Sequence, residues 1–284
     1  MEKKWTAIIE PKNKLLDLKL KEVWQYRDLI WLNVQRNFKT RYKQTVLGPL
    51  WFVIQPLMTT IIQTFVFGTI AGMATDGVPQ FLFYMAGNVT WQYFANCFTG
   101  NANTFTGNAG IFGKVYFPRL TTPISNIITA FFNTMIQFAL FLGFEMYFFA
   151  VGSNIRITWI AALTPLIFLQ LALLGMGCGI IVSSLTTKYR DLQVLVGFGV
   201  SLWMYISPVI YSASTIGDVL SPKLAAVMML NPVTPAIELM RYGWLGSGTT
   251  PFGYWGISWA FTAVVLFLGI IIFNKVEKTF MDTV

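Results

Sequence analysis

The residues best suited to handle a polar cargo recur at intervals of three and four inside an otherwise apolar stretch: Asn88, Trp91, Gln92, Asn96, Thr99 and Asn103. On a continuous helix they share one face within about 140°. Amides and hydroxyls offer reversible hydrogen bonds and no covalent chemistry. A smaller set, Phe52, Gln55, Thr59 and Gln63, lies in the apolar run before it, and Phe198, Ser201 and Tyr205 lie in a later one. Two accounts fit such a stripe. It is interhelical glue, worth about 0.6–2 kcal/mol per bond in a membrane, or it lines a wet channel with Trp91 as an aromatic contact. Six positions on one helix make a stripe longer than a single helix contact needs, which favours the channel.

Cations form the second candidate group. Turning residues 17–47 at 100° per residue puts Leu20, Val23, Trp24, Ile30, Trp31, Val34, Phe38 and Tyr42 on one stripe, with Lys21, Glu22, Arg36, Lys39 and Lys43 opposite. That pattern predicts a helix lying in a membrane interface. Arg27 falls inside the apolar stripe and Arg41 at its edge, where an arginine can snorkel to lipid phosphate. Gly48 and Pro49 stop the helix, because proline lacks the backbone donor and biases its predecessor away from the helical region. The chain can then turn from lying along the membrane to crossing it.

Other chemistries are excluded by what is missing. The segment Gly107-Asn-Ala-Gly110-Ile-Phe-Gly113-Lys114-Val115 resembles a phosphate-binding loop only superficially. A Walker A loop needs Gly five residues before its Gly-Lys pair and Ser or Thr after it, and Asn108 and Val115 stand there. There is no histidine, and the two cysteines, Cys97 and Cys178, fall in apolar segments. Metal sites, a disulfide scaffold and histidine-based catalysis are therefore not expected. One acid, Glu145, lies inside an apolar run, too few for ion-coupled transport or for a paired-carboxylate transferase.

These groups must be positioned by membrane helices. Of 284 residues, 55% are hydrophobic and 11% charged, against about 25% charged in soluble domains. Apolar runs of about 20 residues, long enough to cross a bilayer, occur near 50–70, 80–100, 124–150, 159–185, 194–211 and 256–273. With six spans, 17 of the 20 Lys and Arg residues fall on one side and only Arg156, Lys223 and Arg241 on the other. The positive-inside rule makes both termini cytoplasmic. Eleven of those cations precede Gly48, so the net charge of +8 points to lipid head groups rather than nucleic acid. The N-terminus has no apolar run followed by a small-residue cleavage site, and no removable signal peptide is expected. The outer segment 212–255 is long and carries two apolar pieces, 220–230 and 235–245. It is either an ordinary loop packed on the span ends or a re-entrant gate. Glu238 and Arg241, three apart, can pair on one face of its second piece.

Several short motifs then recur in order: Arg27-Asp28-Leu29-Ile30-Trp31, Arg41-Tyr42, Leu47-Gly48-Pro49-Leu50-Trp51, Gly87-Asn88 with Trp91, and Lys114-Val115-Tyr116-Phe117-Pro118-Arg119. Further along come Tyr189-Arg190-Asp191, Ser207-Pro208-Val209-Ile210-Tyr211, Asn231-Pro232, and Glu277, Phe280 and Asp282. As an ordered set covering nearly the whole chain, they resemble the permease subunit of ABC exporters for bacterial cell-surface polysaccharides, the group handling O-antigen, capsule and teichoic-acid chains. The resemblance implies an all-α integral membrane fold with an amphipathic interface helix over 1–48, a six-span domain over 49–273 and a cytoplasmic tail over 274–284. Short re-entrant gate helices would lie between spans five and six.

It further implies a homodimer in the bacterial inner membrane, resting on two ABC ATPase subunits that hold ATP and magnesium, with no cofactor on this chain. Phe117, Pro118 and Arg119 would form a coupling loop, with Tyr189, Arg190 and Asp191 as a second contact. Asn231, Pro232, Glu238 and Arg241 would belong to the outer gate. The implied cargo is a polyprenyl-diphosphate-linked glycan. Arg41, Tyr42, Gly48 and Arg27 would form the entry that meets its diphosphate, and Asn88, Trp91, Gln92, Asn96, Thr99, Phe52, Gln55, Thr59 and Tyr205 would line a sugar-compatible channel. The rival is a drug or lipid efflux permease built on the same machine.

Overall fold

Gly175, Gly177 and Gly179 let the inner helices meet backbone to backbone. A methyl group on Gly175 would come within 2.7 Å of Cys97 Cβ, one on Gly179 within 2.5 Å of Asn101 Cβ, and one on Gly177 within 2.9 Å of the Leu266 nitrogen. Small residues have this role in membranes, where close packing and dispersion replace the hydrophobic effect between helices. The computed structural model describes residues 20–43, 45–189, 191–214 and 221–283, without the side chains of 20, 41, 42, 222 and 278–283. All regular structure among the described residues is helical.

In chain order the helices are α1 (Leu20–Gln25), α2 (Arg27–Tyr42), α3 (Trp51–Gln63), α4 (Gln80–Ala102), α5 (Thr104–Phe112), α6 (Thr121–Ala150), α7 (Thr164–Thr186), α8 (Leu192–Ile206), α9 (Pro222–Met229), α10 (Thr234–Leu245) and α11 (Phe252–Thr283). The glycines place α7 between α4 and α11. α4 is buried on nearly every side, and α6 runs antiparallel along it. Phe81 meets Phe144 edge-on at 4.9 Å near one end, and Asn126 donates to the Gly100 carbonyl at 2.9 Å near the other.

The predicted amphipathic helix is present in two pieces, broken at Tyr26. The 100° phase survives the break, since Ile30 N still donates to the Tyr26 carbonyl at 3.1 Å, and the buried stripe is narrower than the predicted one. Val23 and Val34 are buried, whereas Trp24 is 69% exposed and Trp31 is 51% exposed. The longer piece docks on α6, with Ser125 donating to the Ile30 carbonyl at 3.3 Å and Asn37 to Asn126 at 3.4 Å. At the predicted stop, Gly48 takes a φ of +48°, which glycine adopts without a Cβ clash. The chain then climbs through a 3-10 turn into α3, which carries Pro56 internally and ends in a π-helical stretch, Thr64–Ile70.

Among the described residues, four helical stretches are long and apolar enough to cross a bilayer: Gly48–Ile70, Thr121–Ala150, Trp159–Thr186 and Phe252–Glu277. α8 is apolar but only 15 residues long. α4 has the length, but its amides and hydroxyls lower its apolarity. Between α4 and α6 the Gly-rich segment forms α5. The two short pieces expected in the outer segment appear as α9 and α10. The last helix continues past 273 into the tail as one rod.

Candidate functional site

A cavity of about 170 Å³ lies between α3, α4 and α6. From α3 it takes Phe52, Gln55 and Thr59, from α4 Asn88, Gln92 and Asn96, and from α6 Asn133 and Gln137. The α4 residues are four apart, a spacing that stacks side chains along one helix face. Asn88 is fixed from behind: its amide nitrogen donates to Gln63 Oε1 at 2.7 Å and to Thr60 Oγ1 at 3.3 Å. Its oxygen is left without a partner. So are Asn133 Oδ1 and Gln137 Oε1, and all three side chains are buried. An unpaired buried amide costs about 1–3 kcal/mol, and neutral amides dominate the polar lining of the cavity.

Six residues named from the sequence thus meet in one place, whereas Trp91, Thr99, Phe198, Ser201 and Tyr205 do not. Trp91, at the edge of the 140° arc, is 2% exposed and packs into the core against Phe94 and Trp203, with centroids 5.4 and 6.4 Å away. The aromatic rings on the cavity wall are those of Phe52 and Trp51. Thr99 turns its hydroxyl back to the Ala95 carbonyl at 2.7 Å. Tyr205 and Phe198 are exposed on α8, and Ser201 bonds the Gly197 carbonyl of its own helix. Asn133 and Gln137 were missed by sequence reasoning. Their signal was a pair of amides four apart inside the run over 124–150.

In the loop between α5 and α6, Phe117, Pro118 and Arg119 are buried rather than presented outward. Arg119 Nη1 donates to the Glu277 carbonyl at 2.8 Å, its Nε lies 3.8 Å from the Glu277 carboxylate, and its guanidinium sits 5.4 Å from the Phe112 ring. Burial pulls the Arg119 guanidinium below its ordinary value, and Glu277 opposes that pull. Phe117 meets Phe112 edge-on at 5.6 Å. The same loop exposes Lys114, Val115 and Tyr116. In the second loop Tyr189 is exposed, with the Lys188 amine 5.4 Å from its ring. Asp191 caps α8 by accepting from the Leu192 amide at 3.1 Å. Arg190 lies outside the described residues. Gln193 donates to Asn103 at 2.7 Å, which ties the second loop to the α4–α5 junction.

The head-group candidates separate. The side chains of Arg41 and Tyr42 lie outside the described residues. Arg27 opens α2 with a largely exposed side chain, 3.9 Å from the Asp28 carboxylate. Fourteen residues of helix put it about 21 Å from Arg41 along the axis, too far for both to grip one diphosphate.

The residues named from the 212–255 segment are internal ties. Arg241 and Glu238 are both fully buried and 3.3 Å apart. The guanidinium also donates to the carbonyls of Pro208 (2.6 Å), Val209 (2.7 Å), Tyr211 (3.2 Å) and Phe83 (3.4 Å), and stacks 3.6 Å from the centre of the Phe83 ring. Glu238 accepts from the Thr249 amide and hydroxyl. Asn231 accepts from Trp203 Nε1 at 3.0 Å and donates to Ser207 at 2.9 Å. The Pro232 carbonyl receives Gln170 of α7 and Ser258 of α11. Sequence spacing anticipated the Glu238–Arg241 pair but none of its carbonyl partners.

The description "ABC-2 type transporter" matches residues 28–245. The chain belongs to the ABC-2 type transporter family. Within it, this ABC-2 chain is similar to the O-antigen export system permease protein RfbA of Klebsiella pneumoniae, 29% identical over 256 residues that cover 90% of this chain and 94% of the relative. It is also 29% identical to RfbA of Myxococcus xanthus, over 75% of this chain and 79% of that one. Against the polysialic acid transport protein KpsM of Escherichia coli the identity is 23%, over 87% and 93%.

Proposed function

We propose that the chain is the permease subunit of an ATP-driven exporter that carries a polyprenyl-diphosphate-linked polysaccharide across the cytoplasmic membrane. The observation that carries this reading is an amide-lined cavity, holding three buried oxygens without partners, inside a chain similar over most of its length to O-antigen and polysialic acid transport proteins. Similarity to O-antigen and polysialic acid transport proteins favours this cargo over a drug or lipid.

In this reading α3 with its π-helical extension, α4, α6, α7, α8 and α11 are six spans, and α9 and α10 pack at the outer end. The permease works as a homodimer on two ABC ATPase subunits. ATP and magnesium belong to those partners, because the chain has no Walker A loop. Lys114, Val115 and Tyr116 meet the partner, while Phe117 and Arg119 anchor that loop to α5 and to the tail. Arg41 and Tyr42, at the end of α2 before Gly48, meet the diphosphate. Deleting the gene is expected to trap lipid-linked glycan at the inner membrane face and strip it from the surface. Unchanged surface glycan would overturn the reading.

A further inference from the structure

Resting on the export reading, we propose that the cavity between α3, α4 and α6 is a subsite for one uncharged pyranose ring of the passing glycan. Its chemistry sets the class of guest. Asn88 has committed its amide nitrogen to Gln63 and Thr60, and Gln92 and Asn96, partly exposed on the same wall, present amide groups to the cavity. Asn133 and Gln137 add two further buried amides with unpaired oxygens. A hydroxyl both donates and accepts, and suits either edge of an amide.

No Lys, Arg, Asp or Glu lines the cavity. A carboxylated sugar would have to leave water with no counter-ion to receive it, a penalty that a neutral ring escapes. Phe52, buried on the wall, offers a flat apolar surface to the C–H side of a pyranose. Trp51 and Gln55 beside it are exposed, so the cavity opens past them. The three walls belong to a single chain.

The test places a cysteine at Gln92, on the cavity wall, in the complex of the full chain with its ATPase partner, reconstituted in lipid. Modification by a small water-soluble thiol reagent is timed alone, with methyl glucopyranoside, and with the matching methyl glucuronide, which differs by one carboxylate. The native chain supplies the background from Cys97 and Cys178. Methyl glucopyranoside at about ten times its dissociation constant is expected to slow labelling about tenfold, and the glucuronide at the same concentration to leave it nearly unchanged. Adding Asn133→Leu should abolish the protection while the labelling rate without sugar persists. If that variant does not assemble, the comparison of the two glycosides on Gln92→Cys decides alone. Equal protection by both glycosides, or by neither, overturns the proposal. Loss of protection together with intracellular glycan in the deletion strain would sink the subsite and leave export standing. Selective protection with unchanged surface glycan would do the reverse.

Discussion

Arg241 shows how one side chain can hold an outer segment in place. Its guanidinium reaches backbone carbonyls on both sides of the Ser207–Tyr211 turn and one on α4, so removing it would strand several acceptors and a buried carboxylate at once. Breaking a buried pair from one side costs about 3–5 kcal/mol. Arg241→Ala is therefore expected to lower the unfolding midpoint of the purified permease markedly. Gly87 is its counterpart on α4: a Cβ there would stand 2.7 Å from Arg241 Nη2 and 2.9 Å from the Val209 carbonyl. Gly87→Ala should then act in the same direction without touching a charge. A thermal melt in which both variants match the native protein would remove the clasp.

At the scale of elements, the loop between α5 and α6 divides into a buried anchor and an exposed tip. The anchor joins Phe117 and Arg119 to Phe112 and to the end of α11. Charge reversal at Lys114 is expected to weaken assembly with the ATPase about tenfold, since an exposed charge at a rim acts on association. Arg119→Ala should leave assembly intact and lower the stimulation of ATP hydrolysis by transport, because the tip is present but poorly held. Co-purification and ATPase assays separate the two. If Arg119→Ala abolishes assembly while Lys114→Glu is silent, the roles are reversed.

For the whole molecule, the prediction is topological. With 17 of 20 cations assigned to one side, both termini should be reachable only from the cytoplasm, and the 212–255 segment only from outside. Impermeant labelling of single cysteines in intact cells checks this; an externally labelled C-terminus would sink the six-span arrangement. Purified permease without its partner is expected to hydrolyse no ATP. Composition and apolar run length alone determined that the chain is helical and lives in a membrane, and Gly48-Pro49 marked where the interface helix ends. The α4 side of the cavity was legible as well, because Asn88, Gln92 and Asn96 repeat with the period of one helix, and such a period is a local property. Tertiary structure decided the rest. Asn133 and Gln137 mean little until α6 is laid antiparallel on α4, and Trp91 differs from Gln92 only by which neighbour it faces. Nothing local distinguishes a presented Phe117 or Arg119 from a buried one. Their burial comes from Phe112 and Glu277, and that of Arg241 from Phe83 and the Pro208 turn, all contacts between residues distant in the chain that no periodicity encodes.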